Sequence, residues 1–230
     1  MTKNHLKRIA MPTTWNAKEK KKLVWVARPN PGAHSLREGM PLILVLRDLL
    51  KYSNTARETK HILNNKQILI DGIKRKDHRF NVGFMDVVSI PELKEEYRII
   101  LDKNGRLNLS KIDEKESKIK ICKIKGKGLS KGKMELRLSD GRTMLLDKKD
   151  NFKTGDSIVI GIPEQKIISH LPIEKGSFII MIDGKKIGST GIIEGIKGNF
   201  VSIKSKEGIF ETLKKNCFVL GKQKSELKIE

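Results

Sequence analysis

The side chains best suited to chemistry in this sequence are cationic, and they cluster within and just after residues 54–77, NTARETKHILNNKQILIDGIKRKD. Arg57, Lys60 and His61 are spaced to project from one side of a helix. A second set follows a hairpin turn: Lys74, Arg75, Lys76, His78 and Arg79. If the hairpin folds back beside the helix, both sets form one cationic surface that binds a phosphate backbone. The alternative is a solvated basic face.

Residue types that carry out catalysis or hold metals are present but scattered. The five histidines, which are better suited to RNA contacts or surface positions, are His5, His34, His61, His78 and His170. No nucleophile–base pair can be read from their spacing. Cys122 and Cys217 stand alone in apolar, strand-like runs, which favours buried thiols in a reducing compartment and leaves a disulfide between them open. The sequence therefore predicts no enzyme, no cofactor and no metal site.

Two helices and a hairpin must position the cationic set. Residues 41–50 predict a first helix, with Pro41 at its first position. A second helix should begin at Thr55, because Thr55 and Glu58 form a capping-box pattern. Asp71 and Gly72 then signal a type I′ hairpin turn, with Gly72 as a structural turn residue, and a strand is predicted at 84–90.

From residue 97 onward the hydrophobic period becomes two, and turn signals recur between short runs. This pattern is typical of small β domains, barrels or barrel-like sheets. The glycine- and lysine-rich segment 125–133, which contains Lys127 and Lys131, is predicted to be a loop that is mobile without a partner. The fold class predicted is α+β with several modules: an arm, a small α/β domain, a mostly β central domain and a small β-barrel. Their predicted bounds are 1–40, 41–92, 93–171 and 172–230.

The first 40 residues lack sustained periodicity, which predicts an extended arm that becomes ordered on its partner. Its basic residues include Lys7, Arg8 and a lysine cluster at 18–22. Trp15 and Trp25 also lie in this arm. Each indole either docks on the following domain or stacks on an RNA base.

The overall charge points to a polyanionic partner. Lysine and arginine number 48 against 27 aspartates and glutamates, a formal net charge of +21. The excess is spread along the whole chain, as expected of a protein that lies along nucleic acid. The longest apolar runs, at 42–46 and 178–182, are far shorter than the ~20 residues that span a bilayer. No secretory signal is visible, so the protein is predicted to be cytosolic.

Two stretches resemble known RNA-binding modules. Residues 56–76, ARETKHILNNKQILIDGIKRK, resemble the core of the S-four-type RNA-binding domain in their helix–NN–strand–DG order. Residues 181–196, MIDGKKIGSTGIIEGI, resemble a KOW motif, which forms a small β-barrel in ribosomal proteins and elongation factors. Gly191 would then sit where a side chain would clash, and Lys185 and Lys186 could reach phosphates.

The order of features along nearly the whole chain resembles the S-four-e family of small-subunit ribosomal proteins, of the archaeal and eukaryotic type. The most telling stretches are HLKR near the start, PGAH–LRE–PL, and GFMDVVSI. The resemblance implies a structural constituent of the cytoplasmic ribosome that binds small-subunit ribosomal RNA and contacts neighbouring ribosomal proteins. It implies no catalysis, no small-molecule substrate and no membrane.

Three alternatives remain open at this point: an RNA-binding accessory factor, a subunit of an RNA-modifying enzyme, and a KOW-containing transcription elongation factor. A pseudouridine synthase or methyltransferase needs a catalytic domain, and little chain is left for one. Gly126, Gly128 and Gly132 lie among lysines and do not precede an apolar helix, as a methyltransferase cofactor turn would. Elongation factors lack this front half.

Overall fold

The computed structural model describes residues 4–16, 23–146, 151–205, 208–222, 225 and 227. The chain divides into two compact units, one formed by 1–100 with 106–117 and the other by 101–105 with 118–230. Both consist mostly of β-strands arranged in several sheets, with few helices. The predicted lysine cluster at 18–22 lies outside the described residues.

The N-terminal part of the chain forms three sheets. Its strands are β1 Leu6–Lys7, β2 Trp25–Val26, β3 Gly39–Pro41, β4 Leu69–Ile70, β5 Ile73–Lys74, β6 Asn81–Gly83, β7 Val87–Ile90, β8 Glu95–Leu101 and β9 Leu107–Ile112. Strands β1 and β2 pair, β3 pairs with β6, and the third sheet has the order β5-β4-β7-β8-β9. Helix α1 spans Leu42–Leu44, α2 spans Ala56–Asn65 and α3 spans Glu114–Ser117. Single 3-10 turns lie at Arg8–Ala10 and Pro91–Leu93.

The first helix differs from its prediction in both its start and its geometry. Pro41 is extended, ends β3 and serves as the N-cap of α1, so the prediction that it occupies the first helical position is wrong. After α1 the backbone continues as a π-helix over Val45–Leu49. Residues 42–46 are all buried, since this helix passes through the core of the unit instead of along its surface.

The second helix and its hairpin follow the sequence closely. Thr55 caps α2: its hydroxyl accepts a hydrogen bond from the Glu58 amide, and the Glu58 carboxylate accepts one from the Thr55 amide. Asp71 and Gly72 have φ values of 49° and 75°, as a type I′ turn requires. The strand predicted at 84–90 begins only at Val87, because Met85 adopts a left-handed φ of 67°.

The predicted N-terminal arm is anchored at several of its described residues by buried side chains, so it is not extended over its whole length. Trp15 is only 2% exposed, and its indole N–H donates to the carbonyl of Gly39 at 2.7 Å. Trp15 also forms a parallel bridge with Leu107. Val26 and Met40 are buried as well. The apolar side chains of the segment, too widely spaced to show a period, are enough to dock it onto the first unit.

The second unit contains two five-stranded sheets. The first has the order β12-β11-β10-β13-β14 and the second β18-β17-β16-β15-β19. These strands are β10 Ile119–Ser130, β11 Lys133–Leu138, β12 Thr143–Leu146, β13 Ser157–Gly161, β14 Ile167–Leu171, β15 Ser177–Met181, β16 Thr190–Lys197, β17 Phe200–Ser205, β18 Gly208–Leu213 and β19 Cys217–Lys222. A 3-10 turn at Lys214–Asn216 precedes the last strand.

The segment 125–133 is not a loop. Strand β10 continues through it to Ser130, turns at Lys131 and Gly132, and pairs with β11 in antiparallel register. Both turn residues have positive φ, 49° and 80°, which is the type I′ geometry of a two-residue hairpin. Glycine disfavours strands only weakly, and the ladder to β11 supplies the hydrogen bonds that the composition could not reveal.

Candidate nucleic-acid interface

The capped helix presents its cations to solvent, as the sequence predicts. Arg57, Lys60 and His61 are all exposed on α2. The imidazole of His61 hydrogen-bonds the side-chain amide of Asn65 one turn later, at 2.8 Å. Within the part of the chain that the structure describes, neither Arg57 nor Lys60 makes a side-chain hydrogen bond or an ion pair. Two full positive charges on this helix are therefore available to an anionic partner.

The segment after the hairpin lies next to this helix. The pKa of His78 is below its ordinary value, first because the imidazole is partly buried and then because the charge of Lys60 opposes its protonation. Asp77 acts in the opposite sense, and Arg79 adds to the lowering. Because coulombic coupling needs proximity, Lys60 of the helix lies near His78 of the post-hairpin segment. We call Arg57, Lys60, His61, Lys74, Lys76 and His78 the helix–hairpin surface.

Two arginines of the predicted set are held by the protein itself. The guanidinium of Arg75 lies over the ring of Phe80, with its Cζ 4.4 Å from the ring centroid. Arg79 donates from Nε to the carbonyl of Arg28 at 2.8 Å. Both side chains are half-buried, whereas Lys74 and Lys76 are exposed. The two arginine side chains are thus held against the protein, whereas the two lysine side chains are exposed to solvent.

The N-terminal residues that were predicted to bind RNA differ in their exposure. Lys7 is exposed on β1, but Arg8 is buried. Trp15 is buried and hydrogen-bonded, so its assignment as an RNA-stacking residue is wrong, and the docking interpretation holds for it. Trp25 differs, since 56% of it is exposed and its ring lies 5.6 Å from that of His5.

The remaining predicted residues belong to the second unit. Lys127 is exposed on β10, and its ammonium donates to the carbonyl of Phe152 at 3.1 Å. Lys131 forms the exposed tip of the β10–β11 hairpin. Lys185 and Lys186 are exposed between β15 and β16. Gly191 lies within β16, where an added Cβ would come within 2.6 Å of both a methyl of Ile203 and the carbonyl oxygen of Lys204, as the predicted clash requires.

Sequence reasoning missed a basic cleft in the first unit. The loop around Arg28 and Asn30 and the strand at Asn81 line a cavity of about 530 Å³, together with Arg79. The signal was present in RPNPGAH, a stretch with two prolines that holds a fixed loop, but nothing in its spacing showed which strand it would face.

Neither a metal centre nor a membrane-spanning helix is found in the described ranges. No group of three or more His, Cys, Asp or Glu side chains there is placed to hold a metal ion. None of the helices described is long and apolar enough to cross a bilayer.

Small β-sheets in a strongly basic chain, together with a capped helix and a hairpin that carry exposed cations, are typical of a nucleic-acid-binding protein. Comparison with known proteins gives the family. The model described as Ribosomal family S4e matches residues 93–167, and the RS4NT (NUC023) domain model matches residues 2–37. The chain belongs to the S4e family of small-subunit ribosomal proteins, which confirms the resemblance found in its sequence.

Individual relatives match over nearly the full length. The chain is 44% identical to the small ribosomal subunit protein eS4 of Methanosphaera stadtmanae, over 97% of this chain and 94% of that protein. It is 41% identical to the eS4 protein of Korarchaeum cryptofilum, over 98% and 96%. Among solved structures, the 30S ribosomal protein S4e of Thermoplasma acidophilum matches with a TM-score of 0.69 and 31% identity, covering 80% of this chain and 96% of that one.

Proposed function

We propose that this protein is a structural constituent of the small ribosomal subunit that binds ribosomal RNA and supports subunit assembly and translation. The observation that carries the proposal is the near full-length match to eS4 proteins. The family is structural, so the protein is not an enzyme, and the modifying-enzyme, accessory-factor and elongation-factor alternatives give way to it. It works in the cytoplasmic ribosome, beside neighbouring ribosomal proteins.

The helix–hairpin surface supports a direct role in RNA binding. Arg57, Lys60, Lys74 and Lys76 are exposed, and none makes a side-chain hydrogen bond or ion pair to another described residue. Neutralising phosphates with such groups releases counterions, so affinity should fall with salt at a log–log slope of roughly −0.7 to −0.9 per phosphate. The exposed cations of the second unit, Lys127, Lys131, Lys185 and Lys186, are proposed as further contacts.

The finer layout is also part of the proposal: an arm at 1–40, an S-four-type α/β domain at 41–92, a central β domain at 93–171 and a KOW-type barrel at 172–230. The separate strand order of β15–β19 supports the last module. So does Gly191, whose lack of a side chain allows β16 and β17 to approach closely. Lys185 and Lys186 then lie at one end of that module.

A double variant tests the helix–hairpin surface. Arg57→Ala with Lys60→Ala should weaken binding to a small-subunit ribosomal RNA transcript and make the salt slope shallower by roughly 1.4 to 1.8, the value for two phosphates. The fold should stay intact, because surface substitutions usually change stability by less than about 0.5 kcal/mol. Filter binding over a salt series measures both quantities.

A matched control uses two exposed lysines that already have acidic partners. Lys66 lies 2.9 Å from Glu92 and Lys111 lies 2.9 Å from Glu95. Lys66→Ala with Lys111→Ala removes the same formal charge but should change the slope much less. Equal slopes for both double variants, or unchanged binding by the Arg57/Lys60 variant, would remove this helix from the interface.

The proposed function as a whole is tested in the cell. A native extract is sedimented through a density gradient after a moderate-salt wash, and the protein is quantified in each fraction. One copy per small subunit is the expected result. A trace confined to assembly intermediates would contradict it.

A further inference from the structure

The cleft of the first unit is chemically unlike the other cavity of similar size. Its volume is about 530 Å³, within the range of roughly 300–1,000 Å³ typical of ligand sites. Two arginines, three asparagines, a histidine, two prolines and a leucine line it, and among the described residues no acid does. The cavity of about 500 Å³ in the second unit is lined by Asp156 and Glu174 as well as by Lys153 and His170. Of these two cavities, the first is therefore better suited to an anionic ligand with a flat apolar face.

Arg79 is held in the wall of this cleft by its backbone and by Nε, and the two terminal nitrogens of its guanidinium remain available. Its amide donates to Oδ1 of Asp77 at 2.8 Å, and its carbonyl accepts from the Asn30 amide at 2.9 Å. Its Nε donates to the carbonyl of Arg28 at 2.8 Å. The two terminal nitrogens make no hydrogen bond or ion pair with any residue that the structure describes. A guanidinium that is fixed through Nε and has both terminal nitrogens available can bind a phosphate through two parallel hydrogen bonds.

The residues beside Arg79 in the cleft are also fixed in place. Asn30 donates from Nδ2 to Oδ2 of Asp77 at 2.6 Å, so its amide orientation is set and its Oδ1 remains an acceptor. Asn81 donates to the carbonyl of His34 at 2.7 Å, and the His34 imidazole lies 3.0 Å from the Asp86 carboxylate. His34 and Asp86 are both buried. A wall held in this way binds a ligand at a lower ordering cost.

We propose that this cleft takes up one nucleotide extruded from the bound RNA, with its phosphate on Arg79. The base lies against the proline and leucine wall beside Pro31 and Leu36, and its polar edge reaches the amide of Asn30. The inference rests on the proposed function, because it assumes that RNA is the partner. It adds a site that contacts a base to an interface whose other proposed residues bind phosphates. Sequence-specific recognition of folded RNA mostly uses unstacked bases of single-stranded regions.

The first test compares two oligomers with equal phosphate number on the full-length wild-type chain. Fluorescence anisotropy is measured with a 12-nucleotide oligoadenylate and with an abasic ribose-phosphate oligomer of the same length. The expected result is about tenfold tighter binding of the oligoadenylate. Equal affinity for both oligomers would overturn the inference and leave RNA binding intact. Failure of both to bind at moderate salt would instead count against the proposed function.

The second test fills the cleft without changing charge. Leu36→Trp should remove most of the oligoadenylate preference while leaving affinity for the abasic oligomer unchanged. Leu93→Trp is the matched control, since Leu93 is 52% exposed in the 3-10 turn Pro91–Leu93, outside the lining of the cleft, and it should keep the preference. A preference that survives in a folded Leu36→Trp protein would overturn the inference.

A third measurement needs no variant, so it holds even if Leu36→Trp does not fold. A 12-nucleotide oligomer of 4-thiouridine is photo-crosslinked to the wild-type chain, and adducts are mapped by mass spectrometry. Adducts within 28–36 or 79–81 are expected. Adducts confined to the exposed Trp25 would place the base contact elsewhere. Adenosine monophosphate, added below the concentration of the oligomer, should not block the crosslink; if it does, the cleft serves a free nucleotide and the inference fails.

Discussion

Lysines of two regions play opposite parts in this protein. On the helix–hairpin surface, Lys60, Lys74 and Lys76 are exposed, and none makes a side-chain hydrogen bond or ion pair to another described residue. In β10, Lys120 and Lys123 are 1% and 5% exposed and are held by acceptors. The first group is placed to bind another molecule, whereas the second is part of the interior of the second unit.

The acceptors explain how β10 can bury charge. The ammonium of Lys120 lies 3.3 Å from a carboxylate oxygen of Asp140, and that oxygen is also 3.2 Å from Nε of Arg142. Lys123 donates to the carbonyls of Lys215 and Cys217 at 2.6 and 2.7 Å. A buried ammonium is tolerated only when such groups replace water. The formal net charge of the chain is therefore larger than the positive charge that is exposed and able to contact RNA.

The largest effect is expected where this arrangement is broken. Asp140→Asn leaves Lys120 and Arg142 without their carboxylate, and breaking a buried ion pair costs about 3–5 kcal/mol of unfolding free energy. Urea denaturation should show a lower midpoint with the same slope. RNA affinity of the folded protein should not change, since these groups face inward. Glu135→Gln, at the more exposed pair with Arg137, is the control and should cost no more than about 1 kcal/mol.

A smaller effect is expected at the cap of α2. Thr55→Ala removes the hydroxyl that accepts from the Glu58 amide at 3.2 Å, which should cost about 1 kcal/mol of unfolding free energy. Thr55→Ser keeps that acceptor and should recover most of the loss. Equal losses for both variants in urea denaturation would show that the hydroxyl of Thr55 does not stabilise α2 as a cap.

The smallest effect is a pH dependence at His78. Its pKa in the folded protein is lowered, so between that value and the ordinary value near 6.5 the unfolded chain binds more protons. The contribution of His78 is therefore fully favourable above about pH 6.5 and is lost as pH falls toward the folded pKa. His78→Gln should flatten the decrease in unfolding free energy between pH 7.5 and pH 5.5, measured by urea denaturation. An unchanged slope would contradict the lowered pKa of His78 in the folded protein.

Local patterns in the sequence were enough for part of the fold. The capping box at Thr55, the Asp71–Gly72 turn and the period-two strands each arise from interactions within a few residues, so they can be predicted without tertiary knowledge. The exposure of Arg57 and Lys60 followed for the same reason. The family itself was recognisable from the order of such stretches along the chain.

Strand pairing and long-range contacts decided the rest. The lysine–glycine segment 125–133 became a hairpin because β10 pairs with β11 across a two-residue turn, which its composition did not reveal. Trp15 was buried because its indole N–H donates to carbonyls of residues 36 and 39, and no local period contains these partners. The sequence by itself determined the helix cap, the turns, the excess of positive charge and the family. The tertiary structure alone decided which cations face solvent, because that depends on acceptors distant along the chain, such as Asp140 and Lys215.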